Sequence, residues 1–159
     1  MRIVEVPIEN RVSLQHLLVE SFEGWYLSHS KKTLMKAEVV REAVVYEHPV
    51  GLVMLKVVHD TIGYVYYIAV ARDNRRRKVA TRLLEHSLEY FSERGIREVY
   101  ASVEEGNRES EALFRSRGFV RTSYREVSRK YGILRALDLY RKMLVVPGET
   151  LLSRPLNST

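Results

Sequence analysis

The 159-residue chain contains no cysteine. That excludes disulfides, thiolate metal sites and a covalent acyl-cysteine intermediate. No run approaches the ~20 apolar residues that span a bilayer. The opening, MRIVEVPIEN, holds no apolar segment of the length a secretory signal needs. A cytoplasmic protein without a membrane partner is the expectation. His48 and His59 stand alone near turns, with no second ligand at metal spacing, so no metal is expected. Internal repeats and low-complexity blocks are absent.

Hydrophobic residues make up 45% and charged residues 29%, a balance that folds rather than stays disordered. The length suits one domain with a real core. The net charge of +6 favours an anionic ligand, whether a phosphorylated small molecule, a nucleic acid or an acidic protein.

The chain turns on Tyr64 to Phe91. Tyr64 to Val70 is aromatic, β-branched or small and uncharged, which is a strand signal. Val79, Ala80, Leu83, Leu84, Ser87, Leu88 and Phe91 recur at helical spacing. Between them lies a basic turn, Arg72 to Lys78. A strand that feeds a helix through such a turn presents free N–H groups and the positive end of the helix dipole. Arg75, Arg76, Arg77 and Lys78 add cations where the dipole disfavours them, which points to a bound phosphate or pyrophosphate. A solvated surface turn and a nucleic-acid patch remain open beside that reading.

Around this stretch the pattern predicts a strand over Arg2 to Val6. A helix follows from Ser13, its N-cap, to a stop or bend at Gly24, Trp25 and Tyr26. Lys31 to Lys36 is a short helical or irregular segment. Val39 to Tyr46 and Gly51 to Val58 are strands that lead by tight turns to Tyr64 to Val70, forming an antiparallel meander. Gly95 stops the central helix. Val99 to Val103 is the next strand, Ser110 to Arg117 a helix and Phe119 to about Ser128 a strand. Arg129 to Arg135 is a polar hairpin loop, Ala136 to Val145 a last strand, and a loose tail starts at Pro147.

Two stretches carry a resemblance. Arg75 to Ala80 resembles motif A of the GNAT superfamily of acetyl-CoA-dependent N-acetyltransferases: Arg or Gln, two residues, Gly, one residue, Gly or Ala. Arg75 and Ala80 match. Lys78 and Arg76 stand where glycines are common, and ordinary helical torsions in the turn would accommodate them. Asn107 to Phe119, NRESEALFRSRGF, resembles a second signature, with Asn107, Leu113, Gly118 and Phe119 matching. Where a tyrosine often protonates the departing thiolate, this chain has Phe114, which donates no proton.

The resemblance implies an α/β (α+β) fold: a single domain over 1–146, a tail over 147–159, and a mixed central sheet of about seven strands flanked by helices on both faces. It implies acetyl-CoA as co-substrate. Ile68, Ala69 and Val70 would pair with the pantetheine arm. Arg75, Arg76, Arg77, Lys78, Val79, Ala80 and Thr81 would hold the pyrophosphate, with Asn107, Ser110 and Phe114 also against the cofactor. The reaction would be direct attack by a primary amine, on a protein or a small molecule, in a ternary complex. Tyr64, Tyr66 and Glu104 are the catalytic candidates, each also readable as strand packing or a solvated turn carboxylate. Trp25, Tyr26 and Tyr131 would line the acceptor side, or simply cover the core edge. Such proteins often pair as homodimers. A non-catalytic acyl-CoA-binding module is the alternative, and nucleic acid ranks last as a partner.

Overall fold

A computed structural model describes residues 1–156. It has seven strands in one mixed sheet, in the order β1-β2-β3-β4-β5-β7-β6. These are β1 Arg2–Glu5, β2 Val39–Val45, β3 His48–His59, β4 Ile62–Val70, β5 Glu98–Glu104, β6 Val120–Thr122 and β7 Glu149–Pro155. The helices are α1 Gln15–Ser21, α2 Gly24–Lys36, α3 Val79–Glu93, α4 Arg108–Ser116, α5 Tyr124–Tyr131 and α6 Ile133–Met143. The expected mixed sheet of about seven strands is therefore present. Contacts group the chain into two compact units that interleave along the sequence. One holds residues 1–56 and 65–90; the other holds 57–64 and the chain from Phe91 on.

In the first unit, β1 pairs antiparallel with β2, and β2 pairs antiparallel with β3, the second being a pairing of the predicted meander. Leu14, Leu17, Leu18 and Leu34 bury against Val40, Leu52, Met54 and Ala69. Each buried Leu, Val or Met among them contributes about 1.5–3 kcal/mol through burial. A buried arginine ties the corner. Arg11 donates to the carbonyls of Val6, Leu34 and Ala37 at 3.2, 3.1 and 2.7 Å. It thereby satisfies carbonyls at the C-terminal end of α2 that the helix leaves open. Gly51 lets α3 close on the sheet: a Cβ there would stand 2.9 Å from Val79 Cγ1 and 3.2 Å from the Ala69 carbonyl.

The helix expected from Ser13 to Tyr26 is divided. Ile8–Leu14 is a 3-10 turn in which the Ser13 hydroxyl donates to the Asn10 carbonyl, so Ser13 is not an N-cap. The chain breaks at Phe22 and Glu23, both extended, and Gly24, with φ +54, opens α2 rather than ending a helix. Trp25 and Tyr26 are thus the first turn of α2.

The second unit departs further from expectation. The strand expected to run to Ser128 is only β6. Ser123 then caps α5, its hydroxyl accepting the Glu126 N–H at 3.2 Å. The strand expected over Ala136 to Val145 is α6, with Ala136, Leu139 and Met143 buried at helical spacing. The polar loop contracts to Gly132, at φ +90 between the two helices. The last strand lies in the stretch read as a loose tail: β7 pairs antiparallel with both β5 and β6. Residues 157–159 of that tail lie outside the described residues. No helix among the described residues is long and apolar enough to cross a membrane.

Candidate functional site

In the first unit, β4 ends at Val70 and its next amide, Ala71 N–H, still donates to the Val50 carbonyl at 2.8 Å. Arg72–Asn74 makes one 3-10 turn. Arg75 is extended, with φ −68 and ψ 156, and the backbone then turns left-handed at Arg76 (φ +63) and again at Lys78 (φ +62). The ordinary helical torsions that would accommodate these side chains freely are thus absent at Arg76 and Lys78. Each non-glycine residue in this region costs about 1–2 kcal/mol relative to right-handed torsions. Alternation of left-handed and ordinary torsions aims successive N–H groups inward, a concavity that suits anions. The first intrahelical bond of α3 runs from Arg82 N–H to the Lys78 carbonyl at 3.1 Å. The amides of Val79, Ala80 and Thr81 precede it and have no intrahelical acceptor.

The four basic side chains divide. Arg75 is spent on structure: its Nε donates to the Val70 carbonyl at 3.2 Å and its Nη2 to the Glu20 carbonyl at 3.0 Å. The Glu20 carboxylate in turn accepts the Arg72 N–H at 2.7 Å. Strand end, turn and α1 are thereby tied together. Arg76, Arg77 and Lys78 are exposed. Of the strand residues beside the turn, Ala69 is buried and Ile68 and Val70 are half-buried.

An aromatic group in the same unit brings Trp25 and Tyr26 together with residues that sequence reasoning passed over. The Trp25 ring stacks on His29 at 4.8 Å and 5°, and meets Tyr26 edge-on. His29 Nδ1 lies 2.6 Å from the Tyr67 hydroxyl, and Phe22 meets the Tyr67 ring edge-on. Burial, then the charge of Lys32, holds the His29 imidazole below its ordinary range. Tyr66 is half-buried. Its phenol is pushed up by burial and by Glu38.

In the second unit, Tyr64 is only 2% exposed and its hydroxyl lies 2.5 Å from Ser102 Oγ on β5. Glu104, the exposed last residue of β5, stands opposite Glu149 of β7. Asn107 caps α4, its Oδ1 accepting the Ser110 N–H at 3.2 Å. Phe114 is buried, edge-on to Phe119 at 5.1 Å. Tyr131 belongs to a different cluster: Glu98 accepts from Tyr131, Tyr100 and Lys130 at 2.7, 2.5 and 2.7 Å. Burial alone would push the Glu98 carboxyl up, but these three donors hold it below its ordinary range. No group of three or more His, Cys, Asp or Glu able to hold a metal occurs among the described residues.

A hydrophobic strand, a concave turn of amides, a helix N-terminus and three exposed cations together define a class: proteins that hold a phosphate-bearing co-substrate at a strand-to-helix turn. Residues 7–119 match the model of the acetyltransferase (GNAT) family. The chain belongs to that family, whose enzymes are acetyl-CoA-dependent. A search of the curated proteins finds no match. Among solved structures, the fold is similar to that of Tetrahymena GCN5, with a TM-score of 0.76 at 12% identity over 100% of this chain and 98% of that one. It is similar to the Escherichia coli ribosomal-protein-S18-alanine N-acetyltransferase, with a TM-score of 0.71 at 16% identity over 99% and 95%. The Thermoplasma acidophilum paia N-acetyltransferase in complex with coenzyme A gives 0.73 at 13% identity over 98% of both chains.

Proposed function

We propose that this chain moves an acetyl group from acetyl-CoA to a primary amine by direct attack in a ternary complex. The observation that carries the reading is the Arg75 to Thr81 turn. Its left-handed residues and open helix N-terminus suit a pyrophosphate, and three cations stand free at its rim. The pantetheine arm would run along Ile68 to Val70 as an added strand, its amides accepting and donating as a ladder does. Asn107, Ser110 and Phe114 would complete the cofactor contacts. The amine must arrive neutral or lose a proton on attack. A backbone N–H near Ala69 or Val70 would meet the carbonyl oxygen as charge develops. Tyr64, Tyr66 and Glu104 are the groups proposed for bringing an arriving ammonium to the neutral amine before attack, with Trp25, Tyr26 and Tyr131 on the acceptor side. The tight Tyr64–Ser102 contact supports a held hydroxyl rather than a freely moving one. A cytoplasmic setting suits a chain with no disulfide to lose.

The test is release of free thiol from acetyl-CoA in the presence of an amine panel. The panel would hold peptides with N-terminal alanine, serine and methionine, free lysine and spermidine. A protein alanine is included because the E. coli neighbour is named for one. The chain has no thiol of its own, so the signal reports CoA alone. Amine-dependent release is the expected result. Acetyl-CoA binding without release from any amine would favour the second reading, a non-catalytic acyl-CoA module. One observation supports that reading: Phe114, at the position of the usual acid, is buried against Phe119 and offers no proton.

A further inference from the structure

His29 and Tyr67 form a pair that the transfer reaction above leaves unused. We propose that the Tyr67 hydroxyl takes the proton that the acceptor amine loses on attack, and hands its own proton to His29. The inference rests on the acetyl-transfer reading and deepens it. Tyr67 immediately precedes Ile68 to Val70 on β4, so its hydroxyl is borne by the strand proposed to hold the thioester.

Several features suit the pair to this role. The 2.6 Å contact is a short hydrogen bond between His29 Nδ1 and the phenol. A phenol is the weaker acid of the two by several pK units, so at rest Tyr67 donates and Nδ1 accepts, leaving the imidazole proton on Nε2. In the step, the amine nitrogen forms the C–N bond, the thioester C–S bond breaks with its electron pair leaving on sulfur as the CoA thiolate, and an ammonium N–H breaks towards the Tyr67 oxygen. The Tyr67 O–H breaks towards His29 Nδ1, and the imidazole becomes imidazolium. No charge is left on the tyrosine. The Trp25 ring lies parallel to His29 at 4.8 Å, where a face-on indole stabilises a cation. Trp25 is 52% exposed, so the cluster opens to solvent and the proton can leave between turnovers. Phe22, edge-on to Tyr67, fixes the phenol from α1.

The charged and titratable groups facing His29 are Lys32 on its own helix and the Tyr67 hydroxyl on β4. Burial and Lys32 both favour the neutral imidazole, so it is ready to accept a proton at neutral pH. His29 acts through Tyr67 and is a positioning residue; Tyr67 would touch the amine.

The experiment compares kcat against pH for the native chain, His29→Asn and Tyr67→Phe, using the best amine of the panel above. Acetyl-CoA affinity and melting temperature are recorded for each. Asparagine can accept the Tyr67 hydrogen bond but cannot take its proton, so a purely structural role would survive it. The native chain should show an acid limb in kcat centred below about 6.5, the ordinary imidazole value. In His29→Asn that limb should vanish and kcat fall about 10²-fold or more, with acetyl-CoA affinity kept. Tyr67→Phe should match it, and it decides the matter if His29→Asn does not fold. An unchanged limb and kcat in the variants would overturn the relay while leaving the acetyltransferase reading intact. Failure of the native chain to bind acetyl-CoA would overturn that reading itself.

Discussion

Arg76 and Lys78 occupy left-handed backbone that glycine adopts without strain. Sequence reasoning found both positions, because the resemblance places glycines there, and made helical torsions the condition for side chains in their place. The structure keeps the glycine-like path and tolerates the side chains on it. A strained backbone held at a turn of this kind is typical of a ligand clamp. Lys78→Gly should therefore raise stability by about 1 kcal/mol, read as a higher melting temperature, with acetyl-CoA affinity changed no more than loss of one exposed cation explains. A lower melting temperature would show that Lys78 carries no strain. Arg75 illustrates the opposite limit. Its match to the motif was legible, yet its hydrogen bonds to Val70 and Glu20 depend on the packing of α1, which no local pattern encodes. His29 was missed for a related reason. It lies four residues after Trp25 and shares its face only if α2 begins at Gly24.

At the scale of elements, the strands of the meander and α3 could be read because their periods are unambiguous. The α5–α6 pair could not. Leu137, Leu139, Met143 and Val145 fit a two-residue period, but Ala136, Leu139 and Met143 fit a helical one, and burial selects the second. The Ser123 to Glu126 capping pattern was a readable signal for α5. β7 was hidden by its proline and serine content and by burial of the consecutive Leu151, Leu152 and Ser153, which erases alternation. The Glu98 cluster anchors α5 to β5, and its energetics depend on pH. The folded carboxyl ionises below its unfolded counterpart, near about 4.3. Its stabilisation is therefore complete above that value and lost as pH falls through the folded one. Glu98→Gln should lower the melting temperature near neutrality and flatten its decline on acidification. An equally steep decline in the variant would remove Glu98 from the acid sensitivity.

At the scale of the molecule, the net charge of +6 draws any polyanion, so attraction alone does not distinguish CoA from nucleic acid. The turn proposed as a pyrophosphate site favours CoA. Family membership and fold agree with it, while the acceptor amine is set by side chains that differ freely among similar folds. The most direct measurement is calorimetric titration of acetyl-CoA into the native chain and into a variant with Arg76, Arg77 and Lys78 all changed to alanine. We expect saturable one-to-one binding by the native chain, weakened about 10-fold or more in the variant, from up to about 1 kcal/mol per exposed ion pair. No binding by the native chain, or equal affinity in the two, would contradict the assignment of this turn as the cofactor site.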